Sequence, residues 1–151
     1  MAFTGSAICT SFYTDLLNGV FDFSTDTFKV ALYDSSATLS ASTTAYTVTG
    51  ELATAGGYTA GGTTVAPTVS TASTSNGTVV IVDFADASWA ASTFTARGAL
   101  LYDDTAASNQ AVAVIDFGAD KSCSASTFTV QFPAATANAG FIVFQTILSS
   151  V

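Results

Sequence analysis

The fold turns on the stretch Arg97-Gly98-Ala99-Leu100-Leu101-Tyr102-Asp103-Asp104-Thr105-Ala106-Ala107-Ser108-Asn109-Gln110-Ala111-Val112-Ala113-Val114-Ile115-Asp116-Phe117. Two apolar runs, Ala99 to Tyr102 and Ala111 to Phe117, flank a polar loop from Asp103 to Gln110. Each run is too short for a helix and is bounded by turn formers, which is how strands buried on both faces look. The stretch therefore reads as a β-hairpin at the centre of a sheet. Asp103 and Asp104 are expected at its solvated tip.

Working outward, further strands appear on both sides. Phe28, Val30 and Leu32 alternate with Thr27, Lys29, Ala31 and Tyr33, the pattern of a half-buried strand. A weaker strand is expected over Ala45 to Thr49. Thr63 to Val69 contains Pro67, which assigns it to an edge. Asn76-Gly77 is a hairpin signal, and Thr78 to Phe84 is apolar and β-branched enough for an interior strand. Thr127 to Phe132 alternates until Pro133, and Phe141 to Leu148 makes the last strand. Gly50 to Gly62 is rich in glycine and alanine and reads as a mobile connection anchored by Tyr58.

One helix is expected. Ile8, Phe12, Leu16 and Val20 recur every four residues with Leu17 alongside, and Asn18-Gly19 supplies a stop, so a helix should cover about residues 7–18. An echo runs through the strands: Asp22-Phe23, Asp83-Phe84 and Asp116-Phe117 each precede a Thr-Phe pair, at Phe28, Phe94 and Phe128. It reads as repeated corner chemistry, with Asp accepting backbone N–H groups in the turn. Eight or nine short strands define an all-β fold, an antiparallel β-sandwich or jelly-roll-like domain with one short N-terminal helix. The whole of residues 1–151 is read as a single domain, with the sandwich over about 27–148.

At 151 residues the chain can bury a sizeable core without staples. Only 9% of it is charged, against roughly 25% in an ordinary globular chain. Its surface must then be mostly Ser, Thr, Ala and Asn, which lose little side-chain entropy when covered. The net charge of −8, with only Lys29, Arg97 and Lys121 as cations, argues against nucleic acid as a partner. Cys9 and Cys123 follow no metal or redox spacing; both suit small apolar roles, with one long-range disulfide an open alternative. The apolar runs are too short to span a bilayer, and the N-terminus lacks the basic start of a signal peptide.

The absence of histidine removes imidazole-based nucleophile activation and acid–base catalysis. Carboxylates remain, at Asp83, Asp86, Asp103, Asp104, Asp116 and Asp120, but most sit where turns use Asp for backbone bonding. Asp103-Asp104 could also contribute to a calcium site, although the EF-hand pattern is missing. No enzymatic activity, cofactor or metal is expected. Trp89, with Tyr46 and Tyr58, can be read as a sugar-stacking platform or equally as core or subunit packing.

Several runs taken in order carry a resemblance. They are Thr27 to Tyr33; Tyr58 to Gly62; Asp83-Phe84-Ala85-Asp86 with Trp89; Thr95 to Tyr102; and Val114 to Gly118 with Asp120-Lys121. Together they resemble a family of small structural proteins of tailed bacteriophages, over most of residues 8–133. The resemblance implies a virion component, a capsid cement or decoration protein on the outer surface of the phage head, assembled in the host cytoplasm. Its expected partners are the major capsid protein and itself, as a dimer or trimer, with no nucleic acid and no membrane. A neck, tail or fiber-associated protein is the alternative, and a carbohydrate-binding module a more distant one. Capsid or subunit contacts are expected at Phe3, at the loop around Tyr58 and at Asp103 and Asp104.

Overall fold

The computed structural model describes residues 3–75, 77–136 and 140–145. Eight strands and one helix are seen among them: β1 (Ala7–Ile8), α1 (Thr10–Leu17), β2 (Phe28–Tyr33), β3 (Thr63–Val65), β4 (Pro67–Thr74), β5 (Gly77–Phe84), β6 (Ala87–Asp103), β7 (Ala111–Val130) and β8 (Ile142–Phe144). They form two antiparallel sheets, one in the order β1-β7-β6-β2-β3 and the other β4-β5-β8. The all-β, sandwich-like expectation holds. Asn76 and the end of the last expected strand, residues 146–148, lie outside the described residues.

The central hairpin is present, and it is longer than its apolar runs. Leu100 pairs with Val114 and Leu101 with Ala113, and residues 99–102 and 111–114 are fully buried. Beyond Gly98 the two strands continue as a long ribbon to Ala87 and Val130. The expected corner at Asp116 and the separate strand at Thr127 are therefore one strand, β7. Between Ala96 and Gly98 on β6 the partner moves from Lys121 to Asp116, so residues 117–120 bulge out of β7. Asp116 Oδ1 accepts the Gly118 N–H at 2.8 Å, and Gly118 takes φ +75°. Asp116 thus accepts a backbone N–H as its turn chemistry implies, but the sheet absorbs the turn as a bulge. At Asp83-Phe84 the corner is real, because β5 ends there and β6 begins in the other sheet.

Three other expectations need correction. β2 is almost wholly buried, because β6 and β3 flank it and only Lys29 is partly exposed. Residues 45–49 form no strand; a single bridge joins Ala45 to Gln110 before the chain turns away. The helix is shorter than expected, because Cys9 is extended with ψ 135° and Ala7–Ile8 pair with Val114 and Ala113. Phe12 is its buried residue, while Leu17 is 88% exposed and lies off the packed stripe. The two cysteines are free, Cys9 buried and Cys123 partly exposed.

The two sheets meet through aromatic rings. Phe84 on β5 packs edge-on against Phe28 on β2 with centroids 5.3 Å apart, and it also touches Phe23, Phe132 and Phe141. Phe12 extends this cluster through Phe21, 4.9 Å away. Pro67 opens β4 one residue after β3 ends, so the chain changes sheet at Ala66, whose carbonyl accepts the Ala85 N–H at 3.0 Å. The strand expected over Thr63 to Val69 is two strands in different sheets, each at an edge as Pro67 implies, and β4 runs on to Thr74.

Candidate functional site

The segment between β2 and β3 is tied to the sheet by one carboxylate. Glu51, the sole glutamate in the chain, receives the hydroxyls of Tyr46 and Tyr58, the latter at 2.6 Å, and the Gly61 N–H at 2.6 Å. The Tyr58 hydroxyl in turn accepts the Leu32 N–H of β2 at 3.0 Å. Nearby, the Tyr33 hydroxyl donates to Thr47 O at 2.6 Å and that of Tyr102 to Gly61 O at 2.8 Å. Burial, assisted by the negative charge of Glu51, pushes all four phenols above their ordinary range. They therefore serve as neutral donors, and the carboxylate is committed to them.

Close backbone contacts complete this attachment. The Gly56 carbonyl accepts the Thr93 N–H at 2.8 Å, and a Cβ at Gly56, where φ is +59°, would lie 2.1 Å from Thr93 O. At Gly62, with φ +80°, a Cβ would lie 2.0 Å from Val30 O. β6 bulges between Trp89 and Ser92, with Ala91 at φ 50°, where the Gly56-Gly57 turn docks. The glycines read from sequence as loosening the segment let it approach the sheet closely.

The four residues expected at an interface have different fates. Tyr58 is 2% exposed and belongs to the Glu51 clamp. Phe3 is 5% exposed; it bridges to Leu39, and its ring fills the space over Gly98, where a Cβ would meet it at 2.4 Å. Asp103 is fully buried, its Oδ1 accepting the N–H groups of Thr105 and Ala106 at 2.8 and 3.2 Å. Burial raises its pKa above the ordinary 3.8, and Asp26 beside it acts in the same direction. Asp104 alone of the four is exposed, and it pairs with Lys29 at 2.7 Å. Three of these side chains are thus buried in the chain itself, where they act as internal supports.

Trp89 is also inside, packed on Tyr58, Phe94 and Phe128 with centroids 6.1 to 6.4 Å away, so it presents no stacking platform. Among the described residues no cluster of three or more His, Cys, Asp or Glu side chains is arranged to hold a metal ion. No helix of the described residues is long and apolar enough to cross a membrane.

What the fold does present is the outer part of the β6–β7 ribbon. Residues 118–122 and 124–127 are exposed, and apart from Asp120 and Lys121 they are Gly, Ala, Ser and Thr. The ladder holds them in place, with Thr95 and Ser122 hydroxyls 2.7 Å apart and those of Ser88 and Thr129 3.0 Å apart across the strands. Sequence reasoning missed this surface by dividing β7 in two; the run of small polar residues was its only signal. Comparisons with protein families, with curated proteins and with solved structures give no match.

Proposed function

We propose that this chain is a structural protein of a tailed-phage particle that binds the outer surface of the capsid as a cement or decoration protein. The observation that carries this reading is the exposed ribbon of β6 and β7: short side chains on a fixed hydrogen-bonded ladder. Covering such a surface freezes few rotamers, so more of the contact energy remains as binding. The sequence runs read as resembling phage structural proteins, over most of residues 8–133, point to the same role. The clamp at Glu51 and the buried Asp103 fit it as internal bracing. A place in the neck, tail or fiber would draw on the same surface, and abundance in the particle separates the two.

The direct test is binding to purified empty capsids. Ser124→Arg with Ser126→Arg puts long charged side chains on the ribbon, where the parent residues are exposed. The expected result is saturable binding by the parent and its loss in the variant, with melting unchanged. Equal binding by the variant would remove the ribbon from the interface, and failure of the parent to bind would overturn the capsid reading.

A further inference from the structure

We propose that the edge of β4 away from β5, which no other described strand pairs with, is a self-association site, where two copies pair β4 against β4 in antiparallel register about a two-fold axis and fuse two three-stranded sheets into one. This inference stands apart from the capsid reading.

The edge is open and regular. Among the described residues β4 pairs with β5 alone, in unbroken register from Pro67–Phe84 to Thr74–Gly77. Thr74 and Gly77 pair across only two intervening positions, a spacing at which the closing pair is a hydrogen-bonded one. By alternation Ala72, Ser70 and Thr68 also bond inward to β5, and Ser73, Thr71 and Val69 direct their N–H and C=O groups outward. Pro67 falls in the same outward phase, where a missing N–H costs the β4–β5 ladder nothing. An outward row of alternating donors and acceptors is matched by another strand.

The other edges are defended. β1, β3 and β8 are two or three residues long. The β7 edge carries Asp120 and Lys121 and is broken by the bulge at 117–120 and by Ala125 at φ 47°. Bulges, charges and shortness are the usual barriers to strand addition. β4 has eight residues, no bulge and no charge.

Charge and apolar surface identify a second copy as the occupant. The chain carries −8 overall, yet no charged residue occurs between Glu51 and Asp83. Two copies can therefore approach along β4 without bringing like charges into contact. On the adjoining face Val69, Val80 and Phe144 are 55%, 39% and 42% exposed. Val80 lies opposite Phe144 and diagonal to Val69, so an apolar stripe runs from β8 to the open edge. Centring the axis on Thr71 sets Thr71 against its own copy and Val69 against Ser73. The residue without an N–H, Pro67, then lies at the rim.

The test is sedimentation velocity over a range of micromolar concentrations, with two variants. The unmodified chain should sediment as a dimer, and Thr71→Lys, which puts two ammonium groups at the axis, should sediment as a monomer with unchanged melting. Thr71→Cys in a Cys123→Ser background should form an intermolecular disulfide on mild oxidation, since directly paired Cα atoms sit about 5.5 Å apart, within disulfide reach. Ala119→Cys in the same background should not. A monomeric parent, an oligomer that Thr71→Lys leaves intact, or no cross-link at position 71 would each overturn the proposal. If Thr71→Lys fails to fold, the cross-link alone decides.

Discussion

The Tyr58 hydroxyl donates to Glu51 Oε1 across 2.6 Å, and the Gly61 N–H reaches the same oxygen at 2.6 Å. One carboxylate thus holds both ends of the glycine-rich segment against β2. Glu51→Ala should lower stability by about 2–4 kcal/mol, because it strands the buried Tyr58 hydroxyl and the Gly61 N–H. Glu51→Gln keeps one acceptor oxygen and should cost about half as much. Urea denaturation midpoints check both; equal midpoints for parent and Glu51→Ala would contradict the clamp.

The glycines provide an independent measure of how closely that segment is docked. Gly62→Ala places a methyl 2.0 Å from Val30 O at φ +80° and should cost about 2–4 kcal/mol. Gly5 also has positive φ, +103°, but has open space around it, so Gly5→Ala should cost only about 1 kcal/mol, the strain alone. Comparable losses at the two positions, read by thermal melting, would mean that Gly62 is not closely packed.

Asp103 gives the fold a pH dependence of defined sign. Its pKa is raised in the folded state, so between the ordinary value of 3.8 and that raised value the native protein binds more protons than the unfolded chain. Its contribution to stability therefore falls as pH rises through this window, and the deficit is complete above the raised value. Asp103→Asn retains an oxygen for the Thr105 and Ala106 N–H groups without the charge. The variant should melt higher than the parent at neutral pH, and the gap should close as pH falls toward 3.8. A constant gap across that range, in melts of both proteins, would show that Asp103 is not the group responsible.

The thiols should differ in reactivity. Cys9 is fully buried and desolvation pushes it up to about 11, while Cys123 is partly exposed on the ribbon. The thiolate is the reactive form. Ellman's reagent should therefore titrate Cys123 in the native protein and Cys9 only after denaturation. Rapid reaction of both thiols in the native protein would contradict the burial of Cys9.

The central hairpin, the edge role of Pro67 and the Asp-assisted turns were legible in the sequence, because each rests on neighbouring residues and local backbone rules. The burial of Phe3, Tyr58 and Asp103 was not. Phe3 is buried by Gly98, far along the chain, and Tyr58 by Glu51 and the Leu32 N–H, so no local pattern marks them as internal. Asp103 and Asp104 are adjacent and of one type, yet Asp103 ends β6 with its carboxylate turned onto the Thr105 and Ala106 N–H groups, while Asp104 lies past the strand against Lys29. β7 was divided in two because Asp116-Phe117-Gly118 has turn chemistry, and only the pairing with β6 shows it to be a bulge.

The most direct test of the proposed capsid role is the copy number of this polypeptide in purified virions, relative to the major capsid protein, by quantitative mass spectrometry. A ratio near one, or a simple fraction of it, is expected for a protein that cements the shell. A few copies per particle would place it in the neck or tail, and its absence from virions would contradict a structural role in the particle.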